Sequence, residues 1–195
     1  VINNAKGIVN TEFSLDFLFS EEIQGFTLND ISITGGSKGE LSGSGDSYSL
    51  TITPEENSEG NIIVETKAGM VADLAGNENE KANKITQAYD TKAPIFEIIK
   101  NKDIIANEDI QFDFLFSEEI QGFTSKDIKV SGGSKGKFSG SGDSYSLVVT
   151  PKKNSEANIV LKTKARIVTD LAGNENEKAN TLKQAYDTKA PTYEI

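Results

Sequence analysis

Cysteine, histidine and tryptophan are absent from this 195-residue chain, which has one methionine and four prolines. Without Cys or His there is no thiol nucleophile, no imidazole base and no Ser-His-Asp triad. Zinc, haem and iron–sulfur sites built on nitrogen and sulfur ligands are excluded as well. No disulfide can form, so stability outside a reducing compartment must come from packed cores, turns or oxygen-bound metal. Basic residues are outnumbered, 20 Lys and Arg against 30 Asp and Glu, for a net charge of −10. That balance argues against a phosphate-backbone binder, which needs clustered cations, and leaves hard cations as natural partners. No apolar run approaches the roughly 18 residues that span a bilayer. The chain opens in what reads as a strand, Val1-Ile2, with no initiating Met, basic n-region or apolar h-region, which predicts a piece of something longer.

What is present is a repeat. FLFSEEIQGFT at 17–27 recurs unchanged at 114–124, and GSGDSYSL at 43–50 recurs at 140–147. DLAGNENEKAN at 73–83 recurs at 170–180, and QAYDTKAP at 87–94 recurs at 184–191. The offset is 97 throughout. Such a period is too long for solenoid repeats and suits one folding domain per copy, predicting domains over residues 1–93 and 94–195. Residues 1–97 carry 16 acidic and 6 basic side chains, while residues 98–195 carry 14 of each, so net charge is not what the copies share.

Within the second copy, apolar residues alternate with polar ones. Ile110, Phe112, Phe114 and Phe116 fall on one face, with Gln111 and Asp113 on the other. Further strands are predicted over 95–100, 127–131, 137–140, 145–150, 158–164 and 181–186. The turn-rich stretches GGSKG, SGSGDS, TPKKNSE and DLAGNENE separate them. Seven short strands without helical periodicity predict an all-β chain, two tandem immunoglobulin-like antiparallel β-sandwich domains.

The ordered set F-x-F-S-E, G-F-T-x-x-D-I, G-S-G-x-S-Y, T-P, D-x-A-G-N and Y-D-T-x-A-P, present across the chain, resembles the bacterial Ig-like repeats of giant surface adhesins and biofilm-associated proteins. The resemblance implies stalk domains that are secreted, commonly by a type I system, shown on the bacterial cell surface and often calcium-bound near domain junctions.

Strand alternation supplies a separate geometric expectation. If strands alternate direction, the loops SEEIQGFT, SGSGDS and TDLAGNENE share the end at which the chain enters a domain. The linker aspartate Asp90 should then meet Glu118, Glu119, Asp143, Asp170 and Asn174 of the second copy. Calcium takes six to eight oxygens of these kinds. Glu118 is the favoured bidentate ligand because it continues the inward parity of Phe112, Phe114 and Phe116. Glu21, Asp73 and Asn77 form the equivalent set in the first copy, without an upstream aspartate. The plain alternative is that Asp, Asn and Gly are simply what surface turns use.

Other signals point away from chemistry. The Gly132–Lys137 segment lacks phosphate-loop spacing and reads as a hairpin turn. The pairs Glu21-Glu22 and Glu118-Glu119 point to opposite sides of a strand end and so do not form a glycosidase dyad. The chain reads as non-enzymatic, as a monomer, and as a partner of neighbouring repeats of its own chain. It is expected to bind no nucleic acid and to insert no segment of this piece in a membrane, and any host or matrix ligand is expected to be held by other domains. The competing reading is a glycan- or protein-binding module using Phe26 and Phe123 of the GFT loops. Tyr48 and Tyr145 fit either a sugar platform or the core.

Overall fold

A computed structural model describes residues 2–3, 7–100, 105–178 and 180–195. Val1, half of the expected opening strand, lies outside these residues. The chain divides into two compact units, Val1–Lys92 and Ala93–Ile195.

In unit 1 the strands are β1 (Ile2–Asn3), β2 (Phe13–Leu18), β3 (Ile23–Gln24), β4 (Ile31–Thr34), β5 (Gly36–Ser44), β6 (Ser47–Pro54), β7 (Glu59–Thr66), β8 (Ala72–Asp73) and β9 (Asn83–Asp90). A four-stranded sheet in the order β1-β2-β6-β5 accompanies a three-stranded sheet β4-β7-β9 and a two-stranded ribbon β3-β8. Unit 2 repeats the plan. Its strands are β10 (Phe96–Lys100), β11 (Ile110–Phe116), β12 (Ile120–Gln121), β13 (Lys129–Ser131), β14 (Gly133–Ser141), β15 (Ser144–Pro151), β16 (Glu156–Lys162), β17 (Thr169–Asp170) and β18 (Thr181–Asp187). Its sheets run β10-β11-β15-β14, β13-β16-β18 and β12-β17. Every pairing between these strands is antiparallel. Each unit is therefore an all-β sandwich of immunoglobulin type.

The period-two pattern sets the interior. Along β11 buried side chains alternate with exposed or half-buried ones, with Ile110, Phe112, Phe114 and Phe116 inward. They meet Leu147 and Val149 of β15 and Ile159 and Leu161 of β16 in one cluster. Unit 1 builds the same cluster from Leu15, Phe17, Leu50, Ile52, Ile62 and Val64.

Two expectations from the sequence are corrected. GGSKG is not a turn: β14 begins at Gly133 and runs to Ser141, with a bulge between Lys135 and Phe138. The chain changes sheets at Gly132 instead, at φ 81°, where a Cβ would lie 2.2 Å from the carbonyl oxygen of Asn158. Only glycine fits that crossing, as at Gly35 in unit 1. The loop SEEIQGFT in turn contains β12, a two-residue strand too short to show a period.

The motif T-x-x-D-I closes a single 3₁₀ turn, Ser125–Asp127. The Asp127 carboxylate accepts from the backbone N–H and the hydroxyl of Thr124 at 2.8 and 2.7 Å, a reciprocal cap on the way into β13. Lys135 completes it by donating to the Ser125 carbonyl at 2.6 Å.

Phe114→Ala removes a ring with no exposed surface and should cost about 3–5 kcal/mol, whereas its neighbour Leu115→Ala, on the outer face, should cost under about 0.5 kcal/mol. Urea denaturation of the two variants, followed by the transition of unit 2, measures the contrast.

Candidate functional site

Three loops of unit 2 are tied together by its backbone. Phe116 N–H donates to the Asp143 carbonyl at 2.8 Å, and Ile120 N–H donates to the Gly142 carbonyl at 3.1 Å. Ile120 also pairs directly with Asp170 across the β12–β17 ribbon. The entering segment joins them, because Ile95 donates its N–H to Ser117 Oγ and accepts from Ser117 N–H. Glu118 follows at once on this anchored turn and is half-buried, as its inward parity requires. A carboxylate oxygen of Glu118 and one of Asp170 lie within 4.8 Å of each other.

Asp170 is 3% exposed, an unusual place for a carboxylate. It stays there because the D-L-A-G-N loop wraps it. Oδ1 accepts from the N–H groups of Gly173 and Asn174 at 2.7 and 2.9 Å, and Oδ2 accepts from the Asn174 side-chain amide at 2.8 Å. Gly173, at φ 97°, makes the turn that aims those donors inward. The Asn174 side-chain amide thus serves Asp170.

Glu119 is exposed on the other side of the turn. Burial, with the Glu119 charge second, pushes the Tyr145 hydroxyl above its ordinary 10.0. The Asp143 side chain is exposed, and its backbone carbonyl holds the turn. Asp90 ends β9 opposite Glu59 and is half-buried, and its Oδ1 accepts from Lys92 N–H at 2.9 Å. Asp187 makes the same contact with Lys189 at 2.8 Å.

In unit 1, Ile23 pairs with Asp73 as Ile120 does with Asp170. Asp73 Oδ1 accepts from the N–H groups of Ala75 and Asn77, and Oδ2 from the Asn77 amide, all at 2.8 Å. Glu21 and Asn77 are exposed, and Asp73 is half-exposed.

Sequence reasoning missed Asn176, which is 1% exposed. Its Oδ1 accepts from the N–H groups of Ile167 and Val168, and its amide donates to the carbonyls of Lys164 and Lys178. One side chain thereby pins the base of the D-L-A-G-N loop, as Asn79 does in unit 1. The signal was available in the second Asn of N-E-N, identical in both copies.

The GFT aromatics are not a binding surface. Phe26 and Phe123 are buried, at 7% and 5% exposure, because the 3₁₀ turn folds them over the sandwich end. Phe123 lies edge-on to Phe114, Phe116 and Tyr145 at centroid distances of 5.1–5.3 Å. Tyr145 is likewise buried.

The sequence matches the bacterial Ig-like domain over residues 1–89 and again over 90–186, so nearly the whole chain is two tandem members, and it belongs to that family. These are structural repeat domains, a class that is typically non-enzymatic. Comparison with the curated proteins finds none that matches the chain. Among the described residues no helix is long and apolar enough to cross a membrane.

The amide and N–H groups of Asn77, aided by the N–H groups of Ala75 and Gly76 and opposed by partial burial, hold Asp73 below its ordinary 3.8. A folded pKa below the unfolded one means that the stabilisation is present above the ordinary carboxylate range and is lost as pH falls through the folded pKa. Asp73→Ala should therefore destabilise unit 1 at neutral pH, and its difference from wild type should close below pH 3.8; melting temperatures between pH 7 and pH 2 measure this.

Proposed function

We propose that the two repeats are spacers in the stalk of a bacterial surface adhesin, and that calcium stiffens the joint between them so that a distal domain is held away from the cell. The observation that carries this reading is the carboxylate pair of Glu118 and Asp170, within 4.8 Å of each other at the end of unit 2 where the chain enters. Two like charges so close, one of them buried, repel and resist desolvation, and a divalent cation removes both penalties. Glu118 and Asp170 would supply carboxylate oxygens and Asn174 its side-chain carbonyl oxygen. Glu119 stands on the rim.

Asp90 is the ligand that would make such a site a joint. Ile95, which is hydrogen-bonded beside Glu118, follows five positions later, so the tether spans no more than about 18 Å. Pro94 restricts that tether further. A cation taking oxygens from Asp90, Glu118 and Asp170 would fix the linker. Glu21, Asp73 and Asn77 would do the same for a preceding repeat, and Asp187 for a following one. Extracellular calcium modules work at about 10⁻⁴ to 10⁻³ M, so the joint would be stiff outside the cell and loose in the cytosol. Neighbouring near-identical repeats suit a spacer, whereas the burial of Phe26 and Phe123 takes away the surface that a ligand-binding module needs.

With a Kd of about 10⁻⁴ M, roughly 5 mM calcium should stabilise unit 2 by about 2.3 kcal/mol, a rise in melting temperature on the order of 10 °C for a domain of this size. Asp170→Asn and Glu118→Gln should abolish the rise. Asp90→Ala should weaken it and lengthen the range of end-to-end distances in small-angle scattering. Scattering and melting that ignore both calcium and chelator would sink the reading.

A further inference from the structure

We propose that each repeat carries a backbone shear clamp between the segment that leads into its second strand and its last strand, which sets the force at which the repeat opens under tension. In unit 1 the residue Val9 forms a parallel bridge with Tyr89. Its N–H donates to the Ala88 carbonyl at 3.1 Å, and its carbonyl accepts from Asp90 N–H at 2.9 Å. The side chain of Gln87 adds a bond to the Gly7 carbonyl at 2.6 Å. In unit 2 Ala106, 2% exposed, makes the same bridge to Tyr186, with bonds of 3.1 Å to Ala185 and 2.8 Å from Asp187.

These bridges are parallel in a fold whose strand pairs are otherwise antiparallel. Tension enters a repeat through its N-terminal segment and leaves through the C-terminal end of its last strand. Two parallel neighbours are then drawn in opposite senses along one axis, so their bonds are loaded together and must fail together. An antiparallel terminal pair pulled from the same end would open one bond at a time. The last strand is itself held against sliding. β18 is in register with β16 over seven residues, Tyr186 Oη shares a 2.7 Å hydrogen bond with Ser155, and Thr188 Oγ1 donates to the Lys152 carbonyl at 2.7 Å. Thr91 and Tyr89 anchor β9 through Glu55 and Ser58 in the same way. The Y-D-T sequence thus divides its work: Tyr and Thr lock the exit strand, and the backbone of Asp closes the clamp.

This inference deepens the stalk reading, which supplies the source of tension, but the clamp lies within each repeat and does not depend on calcium. Because the chain has no native cysteine, pulling handles can be placed at will. Ile105, Asp109 and Ile195 are all exposed. In optical-tweezers pulling with chelator present, the pair I105C/I195C loads the Ala106 bridge, and the pair D109C/I195C moves the handle four residues on and bypasses it. Forced opening reads the unfolding barrier, and the first geometry should require about twice the force of the second. Equal forces overturn the clamp. Ala106→Pro, which deletes the donating N–H, should bring the first geometry down to the second and leave the second unchanged. A drop of equal size in both geometries would mean a general loss of stability and would also overturn it. A null result in the calcium titration leaves these outcomes as they are.

Discussion

The two-residue period of β2 and β11 commits one row of side chains to the space between two sheets, and most of the architecture follows from that commitment. Phe112 and Phe114 have no exposed surface, and their partners on β15 and β16 are equally enclosed. The same parity, carried two residues past the end of β11, turns Glu118 inward. A core position and a candidate ligand are thus successive terms of one series. What differs is the end of the sandwich, where the ribbon β12–β17 brings Asp170 opposite Ile120 and polar groups replace rings.

Between the two copies, the surface and this polar end have behaved differently. Glu40, Glu55, Glu56 and Glu65 of unit 1 face solvent, as do Lys137, Lys152, Lys153 and Lys162 of unit 2. Exposed exchanges of this kind alter long-range field and solubility far more than stability. One of them shows local compensation. Glu65 pairs with Lys84 across the sheet at 2.9 Å, and where Lys162 replaces the glutamate, Thr181 replaces the lysine, so no like charges face each other. The loops that wrap Asp73 and Asp170, by contrast, are identical in sequence and in their hydrogen bonds to Asn77 and Asn174.

Strands with a buried face were legible from the sequence because alternation is a direct image of burial. β12 and β17, two residues each, are not, since their pairing is imposed by the loops around them. β14 was shortened because glycines read as turn residues. A Cβ on Gly133 would lie 2.6 Å from the Thr150 carbonyl oxygen, and the glycines let an edge strand lie close against β15. The carboxylates Glu118 and Asp170 were legible from parity and loop order. Asn176 has no periodic signature: the repeated N-E-N marks its position, but its role shows only in the four backbone groups it satisfies. Phe123 misled because a loop aromatic looks exposed until its 3₁₀ turn folds it over the core.

The bridge from the start of a repeat to its end has a consequence for folding order. The Gly7–Gln87 bond joins residues 80 apart in sequence. Long-range closures of this kind form late, since the intervening chain must first be ordered. A repeat delivered N-terminus first therefore stays open until its own last strand arrives and then closes as a unit. Repeats that share GSGDSYSL and QAYDTKAP are at risk of exchanging strands. Sequential closure separates them in time, so that the first copy is complete before the second offers an interchangeable partner.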